Sequence, residues 1–188
     1  MKTRKENMAR SKNLQTGFGD FRPKKSFGQN FLKSQVALNK MCAVSEITNK
    51  DIILEIGPGK GALTEKLLEK SSKVIAIEKD NDLVEFLKEK FSDYEKNRKI
   101  EILSGDILNF DLKKYGLKDG KYKIVANIPY NITGAIIKKF LSNDIQPKTM
   151  TLLMQKEVAE RIVARDGKES ILSLSVKVYG DPKYEMRV

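Results

Sequence analysis

The chain has 188 residues, 40% of them hydrophobic and 32% charged, which predicts one globular domain with a substantial core. Histidine is absent and cysteine occurs once, so a Ser-His or Cys-His catalytic pair, a histidine-bound zinc and an internal disulfide are excluded. No membrane helix and no metal site are predicted. The net charge of +11 favours a polyanionic partner, first of all nucleic acid, although a lysine-rich proteome would give the same total.

The N-terminal residues 1–22 are predicted to form a flexible basic arm ahead of a domain at 23–188. Residues 1–25 contain eight Lys or Arg and two acidic residues, which is over half of the net charge. Contact with RNA phosphates would use this charge, and a terminus without a role is the alternative. No apolar segment follows the basic residues, so the arm is not a secretory signal and a cytoplasmic protein is expected.

From residue 34 onward, the hydrophobic pattern predicts helices that alternate with short buried strands. A helix at 34–46 has as its apolar side Val36, Leu38, Met41, Cys42 and Val44. The predicted strands are 51–56, 73–78, 99–103, 122–126 and 150–154, and the further helices are 61–70, 82–91, 133–141 and 156–165. This alternation is typical of an α/β fold with a mainly parallel sheet and helices on both faces. Residues 171–179 alternate with a period near two, which taken alone predicts a strand.

A glycine-rich segment, Glu55-Ile-Gly-Pro-Gly-Lys-Gly61, lies at the turn between the first strand and its helix. Gly57 and Gly59 allow a ligand to approach the backbone closely. Pro58 removes one of the N–H donors that a diphosphate would need at a helix N-terminus. The turn therefore favours a cofactor without phosphates, and S-adenosylmethionine fits; a tight structural turn is the alternative.

Acidic residues follow the next two strands. Glu78 comes about 20 residues after the glycine-rich turn, the spacing of an acid that binds ribose hydroxyls. Asp106 follows Gly105 and could accept a hydrogen bond from the adenine amine of the cofactor. Because ligands of open α/β sheets bind at the carboxyl ends of the strands, we expect Gly57, Glu78, Asp106 and Asn127 to lie together.

The segment Asn127-Ile-Pro-Tyr130 ends the fourth strand and predicts the catalytic residues. The Asn127 oxygen and the carbonyl before Pro129 can accept both hydrogens of an adenine amine, which leaves the nitrogen lone pair free to attack a methyl group. Tyr130 can stack on a flipped base. Positioning supplies most of the rate enhancement, because a sulfonium methyl is already a good electrophile.

Together, several segments resemble the ribosomal RNA adenine N6-dimethyltransferases, specifically the bacterial small-subunit type linked to kasugamycin resistance. They are Phe27-Gly-Gln-Asn-Phe-Leu32, Glu55-Ile-Gly-Pro-Gly59, Ile77-Glu78, Gly105-Asp106, Asn127-Ile-Pro-Tyr-Asn-Ile132 and Leu153-Met-Gln-Lys-Glu-Val158. The resemblance covers about 23–188 and implies a Rossmann-like S-adenosylmethionine-dependent methyltransferase domain. It implies two methyl transfers to each of two adjacent adenines near the 3′ end of small-subunit rRNA, within the immature subunit.

The resemblance also assigns Asn30 and Leu32 to the cofactor site. It implies a helix at 169–179, which we prefer to the strand predicted by the pattern. The family's small C-terminal helical domain is not found in this sequence, so a truncated chain is expected, and we expect a monomer.

Three other functions remain open at this point. The large-subunit rRNA methyltransferases of the macrolide-resistance type share most of these motifs, but the Gln155 to Val158 segment and the basic arm favour the small-subunit type. A non-catalytic RNA-binding assembly factor could keep the same fold. Methyltransferases of glutamine or DNA adenine use a similar Asn-Pro-Tyr motif, but they more often have Pro where this chain has Ile128.

Overall fold

A five-stranded parallel sheet organises the computed structural model, which describes residue 32 and residues 34–187. The strands are β1 (Ile52–Ile56), β2 (Lys73–Glu78), β3 (Ile100–Ser104), β4 (Tyr122–Asn127) and β5 (Thr149–Leu153). Their order is β3-β2-β1-β4-β5, and all neighbours pair in parallel. The chain builds the sheet outward from β1 to β3 and then crosses over to add β4 and β5. This reversal opens a crevice at the carboxyl ends of β1 and β4, where such sheets bind ligands.

Helices accompany the sheet much as the sequence predicts. The described part of the chain contains α1 (Gln35–Val44), α2 (Ala62–Lys70), α3 (Asn81–Lys90), α4 (Ser92–Lys96), α5 (Thr133–Leu141), α6 (Lys156–Val163) and α7 (Ile171–Tyr179). The pattern did not predict α4, which is too short to show helical periodicity. None of these helices is long and apolar enough to cross a membrane. The predicted arm at 1–22 lies outside the described residues.

The last helix, α7, confirms the helix that the resemblance implied and overrules the period-two pattern. Ser170 accepts a hydrogen bond from the Ser173 N–H at 3.3 Å, and the Ser173 hydroxyl accepts one from the Ser170 N–H at 2.8 Å. This reciprocal cap satisfies two N–H groups that a helix start otherwise leaves unpaired. The Ser175 hydroxyl donates a hydrogen bond to the Ile171 carbonyl at 2.7 Å. A serine can therefore occupy this helical position, and its polarity does not indicate the solvent-facing side of a strand.

Each face of the sheet carries its own hydrophobic core, because alternate residues of a strand point to opposite faces. Along β1, Ile53 packs into a cluster with residues of α1, α2 and α3. Leu54 packs into the opposite cluster, which includes Ile136 and Phe140 of α5. The crevice lies at the carboxyl ends of the strands, where residues of both faces line it.

Helix α1 packs with a different face from the predicted one. Its buried hydrophobic residues are Ala37, Leu38, Met41 and Cys42. Val36 is 69% exposed, so its place on the predicted apolar side is wrong. The four buried residues occupy one side of the helix, and Val36 lies about 100° beyond the edge of that side.

Candidate active site

The carboxyl ends of β1, β2 and β4 surround a small cavity that collects most of the predicted site residues. Its lining includes Leu32, Gly57, Gly59, Glu78, Asn127 and Pro129. Asp106 and Tyr130 do not line this cavity, and Asn30 lies outside the described residues. The described residues contain no group of three metal ligands.

The glycine turn, residues 57–61, joins β1 to α2 through left-handed backbone. The φ angle is +64° at Gly57, +59° at Gly59 and +78° at Gly61, a region that residues with a Cβ rarely adopt. A Cβ on Gly61 would lie 2.7 Å from Cε2 of Phe91, so only glycine fits there. A Cβ on Gly57 would meet no atom within 4 Å, which leaves open space beside that residue.

Glu78, at the end of β2, is held by three backbone N–H groups. Its Oε1 accepts from Lys79 at 2.9 Å and from Asp80 at 3.0 Å. Its Oε2 accepts from Gly59 at 3.1 Å, which joins the carboxylate directly to the glycine turn. Burial raises the pKa of Glu78, and these N–H groups oppose that rise. Because a carboxylate oxygen has two lone pairs, Oε2 can accept one further donor.

Asp106 lies beyond the neighbouring strand, and both of its carboxylate oxygens have partners. Oδ1 accepts from the Leu108 N–H at 2.9 Å, and Oδ2 pairs with the Lys79 ammonium at 2.8 Å. The hydrogen bond from Lys79 is the main reason why the pKa of Asp106 is below its usual range. Gly105 donates to the Glu78 carbonyl at 2.9 Å, which keeps Asp106 close to the end of β2. The sequence did not predict the ion pair, which any ligand amine would have to share or displace.

A larger groove meets the small cavity at the end of β4. Asn127 and Leu32 line both spaces, whereas Tyr130 lines the groove. Ile128 anchors the boundary, because it is 1% exposed and donates its N–H to the Leu153 carbonyl at 3.2 Å. The predicted catalytic Asn127 therefore lies where a small bound molecule and a larger one could meet.

The turn after β4 places Tyr130 in this groove. Pro129, with φ of −59°, precedes a short 3-10 helix over Tyr130–Ile132. The Thr133 hydroxyl lies 3.4 Å from the Pro129 carbonyl and 3.3 Å from the Tyr130 carbonyl, and it donates to this pair. Beyond the turn, the groove follows β5 and is bordered by residues of α1, α6, α7 and the segment 180–187.

Glu55, directly before the glycine turn, is the site residue that sequence reasoning missed. It is 1% exposed and lines the small cavity. Among the described residues, neither its Oε2 nor the buried Thr64 hydroxyl has a hydrogen-bond partner in good geometry, although Thr64 lies near enough to oppose the rise in the pKa of Glu55. Burial raises the pKa of Glu55 to about 8. An unpartnered buried carboxylate oxygen costs free energy, so this one points to a donor on a bound ligand. The sequence did contain a signal for Glu55, since it is an acidic residue inside an otherwise apolar strand.

The sheet order, the glycine turn and the acid that ends β2 define a Rossmann-like fold of the S-adenosylmethionine-dependent methyltransferases. A dimethyladenosine transferase from Plasmodium falciparum superposes with a TM-score of 0.69 and 34% identity, covering 79% of this chain and 52% of the other. The 23S rRNA methyltransferase ErmE gives a TM-score of 0.67 and 29% identity, covering 77% of this chain and 56% of the other. The predicted fold class is confirmed.

The chain belongs to the ribosomal RNA adenine dimethylase family, whose profile matches residues 20–186. It is 42% identical over 175 residues to the ribosomal RNA small subunit methyltransferase A of Dehalococcoides mccartyi (strain CBDB1). That alignment covers 93% of this chain and 59% of the relative, so the chain spans about three fifths of the relative's length. The resemblance inferred from the motifs is confirmed.

Proposed function

We propose that the chain carries the catalytic domain of an S-adenosylmethionine-dependent rRNA adenine N6-dimethyltransferase. It converts two adjacent adenines near the 3′ end of small-subunit rRNA to N6,N6-dimethyladenosine, within the immature subunit during ribosome biogenesis. Residues 23–188 form the methyltransferase domain, and the enzyme acts as a cytoplasmic monomer. The position of Asn127 between the small cavity and the groove is the observation that supports this proposal most strongly.

The small cavity fits the cofactor in three respects. The Oε2 of Glu55 suits the α-ammonium group of the cofactor's methionine part, because the positive charge of a bound ammonium would favour the ionised form of this carboxyl, whose pKa is about 8 without a ligand. The Oε2 of Glu78 accepts one hydrogen bond and has a lone pair left for a ribose hydroxyl. The open space beside Gly57 permits a close approach, and Leu32 adds an apolar wall. When bound, S-adenosylmethionine supplies a methyl group made electrophilic by its sulfonium.

Three further residues complete the proposed cofactor site. The Oδ2 of Asp106 accepts a hydrogen bond from the adenine amine of the cofactor, either together with the Lys79 ammonium or in its place. Gly59 contributes by orienting Glu78, to which it donates its N–H. Asn30, which the structure does not describe, stays a prediction based on the family resemblance.

Asn127 and the backbone before Pro129 orient the target adenine. The Asn127 side-chain oxygen and the Ile128 carbonyl accept the two hydrogens of the amine, so that its lone pair points at the methyl group. Tyr130 stacks on the base from the groove. With the cofactor bound, the amine would form the N–C bond as the S–C bond breaks, and one of the protons held by the Asn127 oxygen and the Ile128 carbonyl would then leave the acidic ammonium nitrogen for solvent. Positioning is the main contribution of these residues.

The net charge of +11 supports RNA as the partner. The basic arm at 1–22 contributes phosphate contacts, and each contact releases counterions when RNA binds. Deleting 1–22 is expected to weaken RNA binding and to flatten the slope of log affinity against log salt concentration. Filter binding over a series of salt concentrations measures both quantities, and an unchanged slope would mean that the arm makes no such contacts.

Large-subunit rRNA is the second candidate substrate, because ErmE shares this fold at 29% identity. The 42% identity to a relative named for the small subunit favours the first candidate. A labelled-methyl assay separates the two when the 188-residue chain is given either immature small subunits or naked large-subunit rRNA.

Mass spectrometry of the nucleosides is expected to reveal dimethyladenosine only after incubation with small subunits, and none with the Asn127→Ala variant. Methyl label confined to large-subunit rRNA would contradict the proposed substrate. Binding of S-adenosylhomocysteine without methylation of either RNA would instead favour a non-catalytic assembly factor.

A further inference from the structure

We infer that Lys90, the last residue of α3, is a positioning residue for the glycine turn and thereby sets cofactor affinity. Lys90 does not line the small cavity, and it reaches the turn from 30 residues further along the chain. The inference rests on the proposed function, because it takes the small cavity as the S-adenosylmethionine site.

The Lys90 ammonium holds the turn at two points. It donates to the Lys60 carbonyl inside the turn at 2.8 Å. It also pairs at 2.8 Å with Glu65 Oε1, in the first turn of α2. The first contact fixes the peptide unit between Lys60 and Gly61, and the second fixes the helix that begins there. The Lys90 side chain is 29% exposed and that of Glu65 is 54% exposed, so water partly screens the ion pair, and the hydrogen bond to the Lys60 carbonyl is the contact on which the inference depends.

Two aromatic rings keep the ammonium in this position. Lys90 Nζ lies 5.2 Å from the ring centre of Phe91 and 5.8 Å from that of Phe86, within the range of cation–π attraction. Phe91 is 3% exposed, and its ring occupies the space that a Cβ on Gly61 would need. The end of α3 therefore supports the turn by an ammonium contact and by a ring contact that are adjacent in sequence.

The supported turn also shapes the small cavity. Lys60 lines that cavity, and the preceding Gly59 donates its N–H to the Glu78 carboxylate at 3.1 Å. Without the Lys90 ammonium, the Lys60 carbonyl loses this partner, and the glycines around it have wide conformational freedom. Cofactor binding would then have to order the turn, and the cost of that ordering lowers affinity.

Four variants of the 188-residue chain test this inference. Lys90→Met keeps the apolar stem over the rings and removes the ammonium, whereas Lys90→Arg keeps a charged donor. Glu65→Gln removes the ion pair but leaves the Lys60 contact. Lys88→Met is the matched control, because Lys88 is an exposed lysine in the same last turn of α3.

Isothermal titration calorimetry with S-adenosylhomocysteine measures the affinity of each variant. We expect Lys90→Met to lose roughly fivefold to tenfold in affinity. Glu65→Gln should lose about two- to threefold, and the other two variants should bind like the wild type. The N–H of Gly61, which donates to the Pro58 carbonyl, should exchange with solvent faster in Lys90→Met than in Lys88→Met.

A purely structural role for Lys90 predicts a different result. Titrations are made at a temperature where circular dichroism finds every variant folded, so loss of stability alone cannot change the affinity. Wild-type affinity in Lys90→Met, with or without a lower melting temperature, would overturn the inference. An equal loss in Lys88→Met would overturn it as well. If the wild-type chain itself did not bind S-adenosylhomocysteine, the proposed function would fail and the inference with it.

Discussion

The two halves of the sheet, β3-β2-β1 on the side of the glycine turn and β4-β5 on the side of the groove, differ in how completely their residues are buried. Of the two edge strands, β3 next to the inner strand β2 has two of its five residues buried and β2 itself has five of six, whereas β5 has none. The helices repeat this contrast, because Leu67 on α2 is fully buried and Leu174 on α7 is 54% exposed. The strands and helices around the proposed cofactor site are thus closely packed, which suits the tight binding of a small ligand. The groove borders a looser surface, suited to a larger partner.

The boundary between these two sides should give the largest effect. We expect Asn127→Ala to lower kcat by about 100-fold or more, because the adenine amine loses its orientation. The affinity for S-adenosylhomocysteine should change by only about threefold, since most of the cavity is untouched. Initial rates and calorimetry measure the two quantities, with Asn49→Ala as an exposed control. A wild-type kcat in Asn127→Ala would contradict the proposed mechanism.

Glu55 tests the electrostatics of the buried side. The pKa of Glu55 is raised from 4.5 to about 8, so the folded chain keeps a proton that the unfolded chain releases. The free energy of unfolding should therefore fall as pH rises from about 4.5 to about 8, by up to about 1.4 kcal/mol per unit. Glu55→Gln should make this fall much shallower, leaving the part due to Glu78, whose pKa is also raised, while Glu89→Gln on the exposed surface of α3 should keep it in full. Urea titrations across that pH range measure the curves, and identical slopes in all three proteins would contradict the assignment.

The glycine turn tests how tightly the buried side is packed. Gly61→Ala should lower the free energy of unfolding by about 3 kcal/mol, because the added methyl meets Phe91 and the backbone is left-handed. Gly116 also has a left-handed backbone, with φ of +74°, but a Cβ there meets nothing within 4 Å. Gly116→Ala should therefore cost about 1 kcal/mol. Equal costs in chemical denaturation would mean that the contact with Phe91 adds nothing.

The smallest effect is expected on the groove side. Leu174→Ala should cost about 1 kcal/mol or less, because much of this side chain remains in water after folding. Leu67→Ala on α2 removes the same atoms from a fully buried position and should cost about 3 kcal/mol. Thermal or urea unfolding of both variants measures the difference between the two sides of the sheet. Similar losses in the free energy of unfolding for the two variants would contradict the proposed difference in packing.

The strands could be predicted from the sequence because buried parallel strands are continuous apolar runs between glycine-rich or polar turns. That the candidate residues at the ends of β1, β2 and β4 lie together could be predicted for a related reason, since the carboxyl ends of parallel strands meet at one edge of the sheet. Residues 171–179 misled the pattern, because serines that cap or bond back to a helix look like the polar positions of a strand. Val36 was wrongly placed on the apolar side of α1, because hydrophobicity alone does not determine which side of a short helix packs against the sheet.

The remaining features depend on pairs that are distant in sequence. Lys123, the second residue of β4, is 6% exposed, and its ammonium donates to the carbonyls of Ser45 and Glu46 at 3.1 Å and 2.7 Å and pairs with Asp51 at 3.1 Å. The Lys79–Asp106 pair and the Lys90 contact with the turn likewise join separate elements. No local pattern encodes such contacts, so they become visible only after the helices and strands have been placed.

The meeting of the two spaces at Leu32 and Asn127 has a consequence for inhibitor design. A compound that joins a cofactor mimic in the small cavity to an adenine mimic in the groove would contact these two residues, which line both spaces. A linker that contacts Asn127 would be hard to evade, because a resistance substitution there would also remove the group that we propose to orient the substrate. Extensions along β5 would contact a strand that has no buried residue.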